Sequence, residues 1–201
     1  MNVPTSSSPS QAPADEHSRP GILAYVGVAL AYAAAARISF FIPGPVDFIS
    51  PAYFASGVAL CAVLVYGYRI APSLLLGTLA TTLYVHFALP GLPTTIAWTI
   101  VLPFAATLQA LVACAIADRT IGRGNSLDTA RSIAALVLLI VPISAILNPT
   151  VSLLLLQDTI TEAKFPTYLL WVYWWLGDMV GILLIAPVFL VFFGRPSHLW
   201  R

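Results

Sequence analysis

Apolar residues fill six stretches of the chain, at 21–42, 48–68, 70–89, 96–117, 132–156 and 168–193. Each is close to the roughly 20 residues that a helix needs to cross a hydrocarbon core. Helix-breaking and polar residues collect between them. Pro43-Gly44-Pro45-Val46-Asp47 separates the first stretch from the second, and Pro90, Gly91 and Pro93 end the third. Asp118-Arg119 opens the longest polar loop, which runs through Gly122, Arg123, Gly124, Asn125, Asp128 and Arg131. Pro72 falls in the first turn of the third stretch, where a missing N–H costs little. Pro142 and Pro149 lie inside the fifth and predict a kinked or broken helix there, bent toward the bundle interior. The pattern predicts an all-α polytopic transmembrane bundle of about six spans, residues 21–194, between a flexible polar tail at 1–20 and a short stub at 195–201.

Composition agrees. The chain is 59% hydrophobic and only 8% charged, with a mean hydropathy of +0.90, and so few charges could not cover a water-facing surface. A net charge of +1 supplies no basic stripe, which sets nucleic acid aside as a partner. Ala33, Ala34 and Ala35 imitate a signal-peptidase site. However, Asp15 and Glu16 precede Arg19, and the apolar run continues past Ala35, so an uncleaved span is expected. Of the Lys and Arg residues outside the spans, Arg19, Arg69, Arg119, Arg123, Arg131, Arg195 and Arg201 fall on one side and Lys164 alone on the other. The positive-inside rule then predicts that both termini are cytoplasmic, in a multi-pass protein of the bacterial inner membrane.

Candidate chemistry sits where lipid should be. Arg37, Gln109, Asn148 and Asp178 fall within predicted spans, where such groups face a bundle interior or a cavity. Counted from the outer ends at about 1.5 Å per residue, Arg37 is about 8 Å deep, Asn148 about 12 Å and Asp178 about 15 Å. All three belong to the outer half. No helix terminus is expected near Asp178, and an Arg37–Asp178 pair is within reach of a long arginine side chain. It would either fix helix register or floor an outward-facing cavity. Asn148, beside Pro149, is expected to satisfy a carbonyl freed by the proline, as Ser144 could. Trp171, Trp174, Trp175 and Asp178 stand at offsets 0, 3, 4 and 7, on one helical face. An aromatic wall above a carboxylate suits a cationic or amphipathic small ligand. Gly177 with Gly181, and Ser73 with Gly77, make small-xxx-small steps for close helix packing.

Cys61 and Cys114 read as small buried hydrophobes, and His17, His86 and His198 are far apart, so no metal-ligand spacing and no cofactor is indicated. No nucleophile–base set, phosphate-cradling loop or catalytic carboxylate pair is present in the sequence, so catalysis is not expected of these residues.

The segment WVYWWLGDMVGILLIAP at 171–187 resembles the closing motif of the bacterial membrane-associated sensor domain MASE, type one. PAYFASGVAL at 51–60 and GYRIAPSLLLG at 67–77 are similar to its second and third spans, and the resemblance covers about 22–193. It implies an integral membrane sensor of an undefined ligand, preceding a cytoplasmic histidine kinase of a two-component system or a cyclic-di-GMP cyclase or phosphodiesterase. Because such effectors work as dimers, it also implies a homodimer. Two departures stand out. Family members commonly continue with further spans, whereas this sequence ends at Arg201, and Tyr53 and Phe54 stand near where the family often has a tryptophan-proline pair. A truncated sensor, a fragment or a single-domain relative acting through a partner would each account for the first. The rival readings are a substrate-binding membrane subunit of a transporter and a structural membrane anchor.

Overall fold

The computed structural model describes residues 20–42, 44, 49–88, 95–121, 129–156 and 165–193, with side chains up to 189. The N-terminal tail, most of the Pro43–Asp47 loop, the turn around Gly122, Lys164 and the C-terminal stub lie outside the described residues. Helices are α1 (Ile22–Ser39), α2 (Phe54–Tyr66), α3 (Ala71–Ala88) after a 3-10 turn at Tyr68–Ile70, and α4 (Ile96–Thr120). The fifth stretch is α5 (Ala130–Ala135), a π-helical turn at Leu136–Ile140, α6 (Val141–Ser144) and α7 (Leu147–Leu156). Last comes α8 (Thr167–Phe193). The protein is an all-α membrane bundle, with no strand among the described residues.

Five of the six passes are long and apolar enough to cross a membrane. The second is not. At 13 residues, α2 measures about 20 Å at 1.5 Å per residue, short of the roughly 30 Å hydrocarbon core. Its start is delayed by the non-helical segment 49–53, and it stops at Gly67, whose φ of 71° only glycine adopts without strain. The short helix sits inside the bundle, packed on α1, α4 and α8. Its entry is satisfied by protein rather than by water: Tyr53 N–H donates to Gly177 O at 2.9 Å and Phe54 N–H to Ser39 Oγ at 2.8 Å. Irregular backbone at membrane depth is tolerated only when buried in this way.

The small-residue steps are the contact points. A Cβ on Gly181 would meet Tyr53 O and one on Gly177 would meet Ser50 O, so α8 presents both glycines to the segment entering α2. Gly57 on α2 faces Gly181 in turn, and Gly77 on α3 lies against Ala29 O of α1, where a Cβ would be 2.9 Å away. Outward positions such as Leu23, Phe104, Leu138 and Leu154 are exposed and apolar, while Ser73, Thr78, Thr82, Gln109, Asn148 and Asp178 are buried. That inverted polarity is what a lipid solvent demands.

The expected break of the fifth span is present and larger than a kink. The ladder widens to a π turn before Pro142 and opens again at Ala145–Ile146. Ile146 N–H reaches only to Ile143 O, at 3.4 Å, which leaves Pro142 O for another donor. Pro103 interrupts α4 as well. It has no N–H to give Thr99 O, and Thr82 Oγ1 of α3 donates to that carbonyl instead, at 3.0 Å.

Tyr25 Oη on α1 donates to Arg69 O at 3.1 Å, and Tyr68 Oη to Asp118 Oδ2 at 3.1 Å. Arg69 and Arg119 therefore belong to the same end of the bundle, as the charge pattern predicts.

Candidate functional site

Asp178 occupies the middle of α8 with no exposure to solvent or lipid. Two amide donors converge on its Oδ2: Gln109 Nε2 from α4 at 3.1 Å and Asn148 Nδ2 from α7 at 3.2 Å. Gln109 Oε1 accepts the backbone N–H of Asn148 at 3.1 Å. That N–H can only donate, so it fixes which end of the Gln109 amide faces α7 and turns Nε2 toward the carboxylate. The break at Ala145–Ile146 supplies the opportunity, because a backbone N–H just after it is free to leave its own helix. Three chain segments far apart in sequence thus meet through one carboxylate. Ser56 Oγ, in the first turn of α2, donates to the backbone O of Asp178 at 3.0 Å.

Arg37 is not the partner of Asp178. Its guanidinium lies over the Tyr84 ring, 3.9 Å from the centroid, with the Phe41 ring at 5.9 Å. Tyr84 stands one turn from the end of α3, so the arginine stays near the bundle's edge on an aromatic face, a favourable place for a partly desolvated cation. The expected absence of a helix terminus near Asp178 is corrected too: the first turn of α2 abuts it, because that helix begins within the bundle rather than at its surface.

The tryptophans of α8 divide. Trp174 is buried against Ile49, Val85 and Trp98. Trp171 and Trp175 stack, with centroids 5.7 Å apart and planes at 19°, beside the broken fifth span. Trp175 Nε1 donates to Pro142 O at 2.9 Å, taking up the carbonyl that the break leaves over, and Trp171 Nε1 donates to Thr150 Oγ1 at 3.0 Å. Offsets of 3 and 4 place residues near one face, but α8 touches neighbours on several sides, so the wall is split between them. Asn148 does not serve the freed carbonyls as expected. Its side chain goes to Asp178, while Ser144 Oγ bonds Val141 O at 3.2 Å and Thr150 Oγ1 bonds Ile146 O at 2.6 Å.

Around the carboxylate is a cavity whose free room is about 10 Å3, the space of one water centre, lined by Tyr32, Tyr53, Ser56, Gln109, Asn148 and Asp178 among others. A second, of about 30 Å3, shares Tyr32, Tyr53 and Asn148 with it and continues past Thr78, Thr81 and Thr82 toward Trp98 and Trp174. Sequence reasoning singles out Asp178 and Asn148, and notes Gln109 without a role. It misses Ser56, Tyr32 and Tyr53, whose hydroxyl groups sit in otherwise apolar runs with no spacing to mark them. Among the described residues no group of three or more His, Cys, Asp or Glu side chains is placed to hold a metal ion.

The MASE1 family model matches residues 22–200. No curated protein and no solved structure matches the chain. With a match across nearly the whole length, on a polytopic helical fold with a polar cluster buried among its spans, the chain belongs to the MASE1 family of membrane-associated sensory domains.

Proposed function

We propose that this domain is the input half of a signalling protein of the bacterial inner membrane. It detects a small ligand or a membrane state in the outer half of the bundle and passes the change through α8 to a cytoplasmic effector, a histidine kinase or a cyclic-di-GMP enzyme, working as a homodimer. The observation that carries this reading is the position of Asp178. A single carboxylate on the last helix is held by two neutral amides from α4 and α7, with no cation beside it among the described residues. Whatever shares its cavity changes how tightly α8 is tied to those helices, and α8 is the helix that leads toward an effector. The family supports a sensory role, and the clustering of Arg69 and Arg119 at one end supports a cytoplasmic C-terminus.

A substrate-binding membrane subunit is the second reading, favoured by one feature: a broken span and a helix beginning at membrane depth flank the same polar cluster, as at transport sites. A chimera separates the two. With a diguanylate cyclase joined after Arg201, output requires α8 to end in the cytoplasm, where the cyclase finds its nucleotide. The sensory reading predicts measurable cyclic-di-GMP from the wild-type fusion and an altered level, about tenfold up or down, from Asp178→Asn, the scale of about 1.4 kcal/mol in a switching equilibrium. Equal output from both at equal membrane abundance, or none from either, rejects it.

A further inference from the structure

Two buried oxygens at the Asp178 cavity have no hydrogen-bond partner among the described residues: Oδ1 of Asp178 and Oδ1 of Asn148. Both side chains line the cavity, both residues are at least nine-tenths buried, and each atom only accepts when the carboxyl is ionised. A buried acceptor left unpaired is costly, and a buried carboxylate without a counter-charge more so. Both deficits call for the same thing, a positive or donating species between the two oxygens.

The surroundings narrow its chemistry. Neither cavity is lined by a lysine, arginine or histidine. The threonine hydroxyls along the second cavity are committed as donors: Thr78 to Leu74 O, Thr81 to Gly77 O and Thr82 to Thr99 O. What they can offer an occupant is oxygen lone pairs. Trp98 Nε1 is an unpartnered donor that lines the second cavity and not the first, and Tyr32 and Tyr53, whose side chains carry O–H donors, line both. Hard oxygen ligands exclude a preference for transition metals. A single carboxylate suits one positive charge, whereas calcium takes six to eight oxygens, usually with several carboxylates, and magnesium keeps waters for which about 10 Å3 leaves no room.

We propose that the cavity among α2, α4, α7 and α8 is a binding site for a single sodium-sized monovalent cation, anchored by Asp178 Oδ1 and Asn148 Oδ1. The second cavity, with its lone-pair track, is the approach from the end of the bundle bearing Trp98 and Trp174. This deepens the sensory reading by naming the occupant of the same site, and rests on it only for the consequence. Cation binding can hold while signalling through Asp178 fails, or the reverse.

The test uses the full chain purified in detergent, with its melting temperature followed in sodium, potassium and choline chloride at one ionic strength. Sodium at a hundredfold excess over its Kd is expected to raise Tm saturably by roughly 5 °C or more, with less effect from potassium and none from choline. Asp178→Asn should lose the sodium response, Asn148→Ala should weaken the affinity at least tenfold, and Arg37→Gln should keep it. Should Asp178→Asn fail to fold, 23Na relaxation of the wild-type protein decides the matter. Excess line broadening that potassium does not displace but a lithium titration does is expected; none beyond that of protein-free micelles overturns the proposal. Equal shifts in sodium and choline, or a sodium response retained by Asp178→Asn, also overturn it, leaving a neutral water as the occupant. The chimera's output decides separately whether the site signals.

Discussion

Gln109 serves two partners at once, accepting the Asn148 N–H and donating to Asp178. Gln109→Leu would orphan a backbone donor and strip the buried carboxylate of half its direct support, a loss of about 3–5 kcal/mol by analogy with a broken buried pair. Asp178→Asn removes the charge that makes the loss severe. A double-mutant cycle of Gln109→Leu with Asp178→Asn, read by thermal stability in detergent, should therefore show coupling of about 1 kcal/mol or more. Arg37→Gln with Asp178→Asn should be additive, because Arg37 rests on Tyr84 and Phe41 instead. Coupling in the second cycle and not in the first would contradict this assignment of partners. Depth along two helices is legible in a sequence, but azimuth is not, which is why similar depths suggested a pair that the packing keeps apart. Gln109 lacked a role for the same reason, since its partners lie 39 and 69 positions away.

Among the elements, the long apolar runs gave helix ends within a few residues, since Pro72 and the Pro142–Pro149 pair act through local backbone sterics that any sequence displays. The short α2 was not read from the sequence: Pro51 marks a local break, but how far the non-helical segment 49–53 runs depends on Gly177 and Gly181 leaving space for it on α8. That dependence is testable. Gly181→Ala places a Cβ on Tyr53 O, a backbone atom that cannot turn aside, and should cost about 1–3 kcal/mol or prevent folding. Gly27→Ala in α1 meets nothing within 4 Å and should instead gain up to about 1 kcal/mol from helix propensity. Melting temperatures and folded yields of the two variants, measured side by side, check the contrast. Similar behaviour of the two would mean that α8 does not hold the entry to α2 as closely as described.

For the molecule as a whole, fold class and family were readable because hydrophobic run length and the 171–187 segment are properties of the linear chain. The site was readable only as a set of expensive polar residues. Which of them meet is decided by a broken helix, a helix beginning inside the bundle and an aromatic pair that caps the break, all of them tertiary events. The central claim is that the Asp178 cluster, which links α8 to α4 through Gln109, sets the position of α8 relative to α4. The most direct measurement is the distance between spin labels at exposed positions 119, on α4, and 188, on α8, near the same end of the bundle, after the buried Cys61 and Cys114 are replaced by alanine. The account predicts one narrow distance distribution in the otherwise wild-type protein and, with Asp178→Asn, a shift or broadening of about 2 Å or more, the scale of a switching helix movement. Superimposable distributions from two folded proteins would contradict it.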